Sequence, residues 1–303
     1  MSHLPYNDLN SALRARFGCR VQKITLDAGL TCPNRDGTVG TGGCIYCNDR
    51  GSGTGAFPGK SITEQLESAK AFLRHRYKAK KFIAYFQSFS NTYAPVEKLR
   101  SLYEEALAVE DIVGIAIGTR PDCVGDPVLE LCEELGEKTY VSMEYGLQSI
   151  HDETLKFINR GHTYETFLDA VKRTRARGLE ICVHVIVGLP GETKEDILST
   201  ARALGTMDIQ AVKIHLLYVI RNSALHRLYE KGSFRCLTRD QYTDIVCDYL
   251  ALLPQNVIIH RLTGDPHSEE LVAPLWALEK ETNLRVIRDT LSKRNIWQGK
   301  FYQ

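Results

Sequence analysis

The sequence predicts an α/β fold: an incomplete, TIM-like (β/α)6 barrel with a C-terminal α/β extension. Three observations carry this. Short β-branched runs alternate six times with longer amphipathic stretches, the pattern of a parallel sheet with right-handed crossovers. The 303 residues are 43% apolar and 25% charged, the balance of a globular chain long enough for one large α/β domain. After Tyr218 the strand–helix beat changes. We expect a core over residues 15–220 and an extension packed on it over 221–303.

The expected strands of the core are Val21–Leu26, Phe82–Phe86, Ile112–Gly118, Thr139–Glu144, Glu180–Val187 and Val212–Tyr218. The helices between them carry end signals. Ser61 with Glu64 three residues on is a capping box opening Ser61–Tyr77. Pro95 suits the first turn of Pro95–Leu107. Asp126 is the expected N-cap of Asp126–Leu135, which stops at Gly136. Tyr164–Arg177 stops at Gly178, and Thr193–Leu204 starts on a threonine cap and stops at Gly205. In the extension we expect helices over Ala224–Lys231, Arg239–Leu252, Glu269–Leu278 and Leu284–Lys293, with one strand over Asn256–Leu262.

Composition excludes some functions. A net charge of +1 gives no bulk pull toward nucleic acid or membrane. The longest apolar stretches, such as Ile112–Ile117 and Cys182–Leu189, are too short to span a bilayer. Met1–Asn10 is polar and holds no apolar signal core, so a cytoplasmic protein is expected. In that reducing compartment, clustered thiols among the nine cysteines point to metal or catalysis rather than disulfides. Isolated Cys132, Cys182 and Cys247 read as packing residues, and Cys123 more weakly so.

The sharpest motif is Thr31–Asn48, TCPNRDGTVGTGGCIYCN, beginning where the first strand ends. Ligands of α/β folds bind beyond the carboxyl ends of the strands. Cys32, Cys44 and Cys47 form C-x11-C-x2-C. Gly37, Gly40, Gly42, Gly43, Gly51, Gly53 and Gly55 let this loop fold back tightly. A structural zinc site wants four ligands. Three thiolates suit an iron–sulfur cluster with one open iron. Zinc with a remote fourth ligand, Cys19 or a histidine, satisfies the same spacing, which leaves both open.

Tyr46 gives the last pair the form C-x-aromatic-C. Here the chain resembles the radical S-adenosylmethionine (SAM) superfamily. More closely, it is similar to a small bacterial family related to the radical SAM half of elongator protein 3. That family shares the widened first spacing, where most of the superfamily has C-x3-C-x2-C. The resemblance covers roughly residues 15–220. It implies a [4Fe-4S] cluster on Cys32, Cys44 and Cys47, with SAM on the open iron and Tyr46 beside the cofactor. It implies an enzyme in which SAM is cleaved to a 5′-deoxyadenosyl radical that takes hydrogen from a substrate. An external electron donor, flavodoxin- or ferredoxin-like, is then expected. No acetyl-CoA loop is recognisable, so the carboxymethylation outcome of elongator protein 3 is not expected.

The other strand ends supply candidate SAM contacts under the same resemblance. Gln87 and Ser88 stand where the superfamily often has Gly-Gly-Glu. Gly118 replaces a glutamate found in elongator protein 3 and in oxygen-independent coproporphyrinogen oxidase. Gln148 and Arg160 match the spacing of a glutamine and an arginine that bind SAM in that oxidase. Arg160 suits the methionine carboxylate by its fork. Glu144 is expected at ribose hydroxyls or the amino group. Val187, Gly188 and Leu189 are expected beside the adenine. Lys213 and His215 share a strand face by period, and helices outside the barrel turn that face inward, so both are candidate substrate contacts. Tyr218, His260 and Arg261 are weaker candidates, and His184 reads as a buried, satisfied histidine.

tRNA is the first substrate class to test. Two basic runs, Arg74–Lys81 and Lys172–Arg177, are the local charge that supports it, although both close helices, where cations are favoured anyway. The reading from another class is a non-enzymatic zinc or iron–sulfur module that binds RNA.

Overall fold

The computed structural model describes residues 4–48, 51 and 59–302. Gly53 and Gly55 of the cysteine loop lie outside the described residues. A parallel sheet runs in the order β1 (Val21–Leu26), β2 (Lys81–Phe86), β3 (Ile112–Thr119), β4 (Tyr140–Gln148), β5 (Glu180–Val187), β6 (Ala211–Leu216) and β8 (Ile258–Arg261). β7 (Val219–Ile220) is a short strand between β6 and β8 in sequence and belongs to a second sheet. The main sheet thus has seven strands rather than six. The strand expected in the extension pairs parallel with β6 and lengthens the barrel wall.

Helices α2 (Ile62–Tyr77), α3 (Val96–Leu107), α4 (Asp126–Gly136), α6 (Tyr164–Ala176) and α7 (Lys194–Gly205) cover the outer face. Their apolar stripes and the outward residues of the strands form the main core, including Leu66, Phe86, Leu99, Ile117, Phe167, Val183 and Ile214. The capping box at Ser61 is present, with Glu64 N–H donating to Ser61 Oγ at 3.1 Å. Thr193 closes the same kind of box with Asp196. Two ends move by one residue. Pro95 and Gly125 are the caps, and Asp126 lies inside the helix, where its charge still meets the N-terminal dipole.

The barrel stays open between β1 and β8, and helix α1 (Leu9–Phe17) packs against both edges. Ile259 N–H donates to Asn7 O at 2.7 Å, tying this segment to β8. Leu13 is buried with Val21, Ile83, Tyr85 and Ala116, so α1 plugs the bottom of the lumen. The sequence reading has no α1. Its signal is local: Asp8 caps the helix through Ser11 N–H, and Leu9, Leu13 and Phe17 recur every four residues.

Beyond β6 the chain departs from expectation. The run Val212–Tyr218 breaks after Leu216, and β7 pairs antiparallel with β9 (Leu271–Ala273). The helix expected over Glu269–Leu278 is absent. Leu271–Ala273 is strand, Pro274 interrupts the backbone, and Leu275–Leu278 is a 3₁₀ turn. α9 (Arg239–Leu252) packs on α7, and α10 (Lys280–Lys293) packs on α9. A small second core, with Leu155, Ile158, Ile186, Leu217, Leu225 and Phe234, sits above the sheet's carboxyl end beside Ile45 and Tyr46.

Candidate functional site

The cysteine loop is held to the barrel mouth by backbone bonds. Ile45 N–H donates to Ile158 O at 3.0 Å, and Leu225 N–H donates to Ile45 O at 2.8 Å. The extension thus clamps the residue between Cys44 and Tyr46. Asn34 Nδ2 donates to Asn159 O at 2.5 Å, and Asn159 Nδ2 returns a bond to Gly43 O at 2.8 Å. Gly42 and Gly43 take φ of 77° and 75°, left-handed values that few side chains tolerate, and so aim Cys44 inward.

Cys32, Cys44 and Cys47 line a cleft at the carboxyl end of the sheet, with a cavity volume of about 200 Å³. Tyr46, Gln87, Glu144, Gln148, Arg160, Lys213 and His215 line the same cleft. Ser88, Val187 and Gly188 do not. Strand parity is the reason on β5: His184 and Ile186 point inward, and Val187 points out into the main core. The apolar wall is therefore Ile186 and Leu217 rather than Val187.

Arg160 is buried, and its donors are partly engaged. Nε and Nη2 donate to Gly146 O at 3.2 and 2.6 Å, and Nη1 donates to Cys44 Sγ at 3.5 Å. Arg120 orders it in turn, donating to Arg160 O at 2.7 Å while gripping both oxygens of Asp122. A guanidinium has five N–H groups, so two remain for a carboxylate. Gly146 is required here, since a Cβ would lie 2.5 Å from Arg160 Nη2. The ladder slips between Gly146 and Gln148, and Gln148 takes φ 78° at the strand's end. A hydrogen bond from the Cys47 thiol, and then the Arg160 charge, hold the Cys44 thiol well below its ordinary range, and the same bond holds Cys47 well above its own.

Below this rim the lumen holds a charged layer built from six strands, β1, β2, β4, β5, β6 and β8. Glu144 is fully buried. Lys23 Nζ donates to its Oε1 in a short contact, Lys213 Nζ donates to its Oε2 at 3.3 Å, and His184 Nε2 donates to Oε2 at 2.7 Å. Burial alone would raise the Glu144 carboxyl, but Lys213, Lys23 and His184 more than offset it and hold it well below the usual range. Its oxygens thus already contact two lysines and a histidine, where the sequence reading expected ribose hydroxyls or the SAM amine. His260 Nδ1 lies 3.5 Å from Lys23 Nζ and 3.3 Å from Cys182 Sγ, so Cys182 faces the lumen rather than the outer core. His184 is satisfied, as read.

Sequence reasoning missed Lys23, Tyr85, Arg120 and Cys182. Lys23 carried a signal, a lysine at the inward parity of a buried strand between Val21 and Thr25. Tyr85 accepts from Lys213 Nζ at 2.9 Å.

The donors fit an iron–sulfur cluster. Three cysteines line one cleft, and one of them is held toward thiolate beside a cation. Among the described residues the compact group of three metal-ligating side chains is Glu144, Cys182 and His184, which contains none of them. Two ammonium groups already contact Glu144, and their charge opposes a cation there.

The basic run at Lys172–Arg177 is largely spent within the chain. Arg173 pairs with Asp169 and Asp126, Arg175 with Asp208, and Arg177 with Glu133, Glu130 and Asp126. In the other run Arg74 pairs with Asp111, while Arg76, Lys78, Lys80 and Lys81 are exposed without an ion pair among the described residues. No helix among the described residues is long and apolar enough to cross a membrane.

Comparison with known proteins agrees with this geometry. The radical SAM superfamily profile matches residues 35–204, and the radical SAM C-terminal domain profile matches residues 209–293. The Bacillus subtilis protein "Uncharacterized protein YtqA" is 42% identical over 301 residues, 98% of this chain and 93% of its own length. A tRNA uridine(34) acetyltransferase of Methanocaldococcus jannaschii is 28% identical over 156 residues, 50% of this chain and 28% of that protein. The solved structure of Methanocaldococcus infernus Elp3, lacking its N-terminus, has the same fold, with a TM-score of 0.70 at 17% identity. The match covers 92% of this chain and 64% of that one.

Proposed function

The chain belongs to the radical SAM superfamily and is a radical SAM enzyme, and we propose that the cleft beside Cys32, Cys44 and Cys47 is where it cleaves SAM and holds its substrate. Membership sets aside the non-enzymatic zinc or RNA-binding module. The observation that carries the assignment is that three thiols, Gln148 and Arg160 line one cleft, with Arg160 Nη1 3.5 Å from Cys44 Sγ. A [4Fe-4S] cluster bound to the three cysteines would supply the electron that breaks SAM into methionine and a 5′-deoxyadenosyl radical.

The chain's own groups divide the remaining work. Arg160 turns its two spare N–H groups toward the methionyl carboxylate, at the strength of a charge-assisted bond. Gln148 and Gln87 flank it as neutral polar contacts. Ile186, Leu217 and Tyr46 form the apolar wall for the adenine. Lys213 and His215 face the substrate from deeper in the lumen. The extension and α1 close the lumen at its two ends and keep water from a radical. The donor of the electron is a flavodoxin- or ferredoxin-like protein.

The test is anaerobic reconstitution with iron and sulfide, reduction, and assay for 5′-deoxyadenosine. We expect a brown protein with iron on the three cysteines and slow SAM cleavage. Tight zinc uptake with no iron–sulfur absorbance would refute the site.

We propose tRNA as the substrate class to test first. Support comes from the partial relative named a tRNA uridine(34) acetyltransferase and from the exposed Arg76, Lys78, Lys80 and Lys81. Those cations lie at the rim opposite the cysteines, so the nucleic acid must wrap the side of the barrel. Binding should then weaken steeply with salt. A flat salt dependence would argue for a small molecule or a peptide.

A further inference from the structure

The lumen opposite the cysteines carries more positive charge than its own acids match. Lys23 and Lys213 both bond to Glu144, and one carboxylate neutralises one of them. Lys213 is 7% exposed. Its other partner is the Tyr85 hydroxyl at 2.9 Å, and its Nζ lies 4.4 Å from the centre of the Tyr85 ring. A phenol and its face solvate an ammonium but supply no counter-charge. Arg261, from the next strand, adds a third cation to the same cavity. Its ion pair with Asp265 is long, at 4.0 Å, and Asp265 is already taken by Lys280 at 2.6 Å. Glu270 stands at the mouth, where Asn48 donates to it at 3.2 Å.

A polar atom in the same place is unsatisfied. His215 Nε2 is buried and has no hydrogen-bond partner among the described residues. Its ring centre is 5.2 Å from that of His184, and the partners of Lys213 among the described residues are Glu144 and Tyr85, so this corner supplies one carboxylate and otherwise neutral groups. Uncompensated buried charge and unpaired polar atoms are costly, and natural interiors keep them chiefly where a ligand completes them.

We propose that the substrate carries an anionic group, a carboxylate or a phosphate, and seats it among Lys213, Arg261 and His215. This rests on reading the cleft as the radical SAM cavity, and adds the charge of what enters it. Lys213 supplies a point charge, Arg261 a planar fork, and His215 a neutral N–H donor. The seat lies on β6 and β8. Arg160, the group suited to the carboxylate of SAM, follows the far side of β4, so the two anions do not compete. The reacting carbon of the substrate is then held between this seat and the cysteines, fixed at its charged end.

The test uses the anaerobically reconstituted protein with SAM bound. Inorganic phosphate, N-acetylglycine and neutral N-acetylglycinamide are titrated in separate calorimetry runs. We expect one of the two anions to bind and the amide not to. Binding of phosphate alone assigns a phosphate, and binding of N-acetylglycine alone assigns a carboxylate. Lys213→Gln and Arg261→Gln should each weaken that binding roughly tenfold to hundredfold, and the exposed Lys231→Gln should not change it. If Lys213→Gln does not fold, Arg261→Gln at the partly exposed rim carries the comparison. Three results would overturn the proposal: neither anion binds, the variants bind as well as the parent, or saturating SAM abolishes binding. 5′-Deoxyadenosine is assayed in the same preparations. SAM cleavage without anion binding defeats the anion seat alone. Anion binding without cluster or cleavage defeats the cofactor reading and leaves the seat standing.

Discussion

Replacing Glu144 with glutamine keeps its shape and removes its charge, which makes it the sharpest probe of the lumen. Glu144 is fully buried and contacts Lys23, Lys213 and His184. The side chains of Lys23 and Lys213 are 13% and 9% exposed. Glu144→Gln therefore leaves two nearly buried ammonium groups with no counter-ion. Breaking a buried pair by removing one partner costs about 3–5 kcal/mol. For 303 residues the unfolding entropy is about 0.6 kcal/mol per kelvin, so the midpoint should fall by about 5–8 °C. The loss should also depend on pH. Without the carboxylate, both lysines have folded-state pKa values below their unfolded ones. The unfolded chain then binds more protons, and the variant gains stability as pH rises. Burial already lowers Lys213 to about 8 in the parent, so its share of the gap should narrow below about pH 8, and the share of Lys23, which despite its burial Glu144 holds above its ordinary value, should narrow on toward about pH 10 and above. Calorimetric scans at fixed rate, on preparations matched for iron, measure both effects. A loss under about 1 kcal/mol, or a gap that is constant with pH, would show that Glu144 does not neutralise buried lysines.

Three further outcomes follow from other parts of the structure. Cys32→Ala, Cys44→Ala or Cys47→Ala should each abolish iron–sulfur assembly, while Cys132→Ala, in the outer core, should leave iron content unchanged; equal loss in all four would remove the assignment. Gly146→Ala places a methyl group 2.5 Å from Arg160 Nη2 and 2.7 Å from Gln148 Nε2, so SAM affinity should fall about tenfold while the fold is kept, and calorimetry showing parental affinity would free Arg160 from that role. Burial, then Lys213, push His184 down to about 4, so stability tied to its neutral form is complete above about pH 6.5 and lost toward pH 4; it amounts to about 3 kcal/mol, and His184→Asn should flatten that limb of the midpoint–pH curve.

Local patterns in the chain determined much of this protein. All seven strands of the main sheet follow from β-branched runs, although the sequence placed the seventh, β8, in the extension rather than beside β6. The boxes at Ser61 and Thr193 form because the partners are three residues apart. Cys32, Cys44 and Cys47 were legible because eleven and two residues separate them within one glycine-rich loop. Lys213 and His215 turned inward because a strand alternates and its outer face is covered.

What the tertiary structure alone decided depends on strand order and stagger. Lys23 meets Glu144 across 121 residues of sequence, and His260 across 237. No local period reports such a pairing. The register slip against β5 between Gly146 and Gln148 leaves Gln148 at φ 78° on the cleft side of β4, while Tyr145 and Leu147 go to the core. Pro274 and the β7–β9 pairing turned an amphipathic-looking run into strand and 3₁₀ turn. Sequence spacing fixes groups that a single loop or strand carries; the charged lumen is carried by β1, β2, β4, β5, β6 and β8 together, and exists only once the sheet has curled to bring their inward faces into contact.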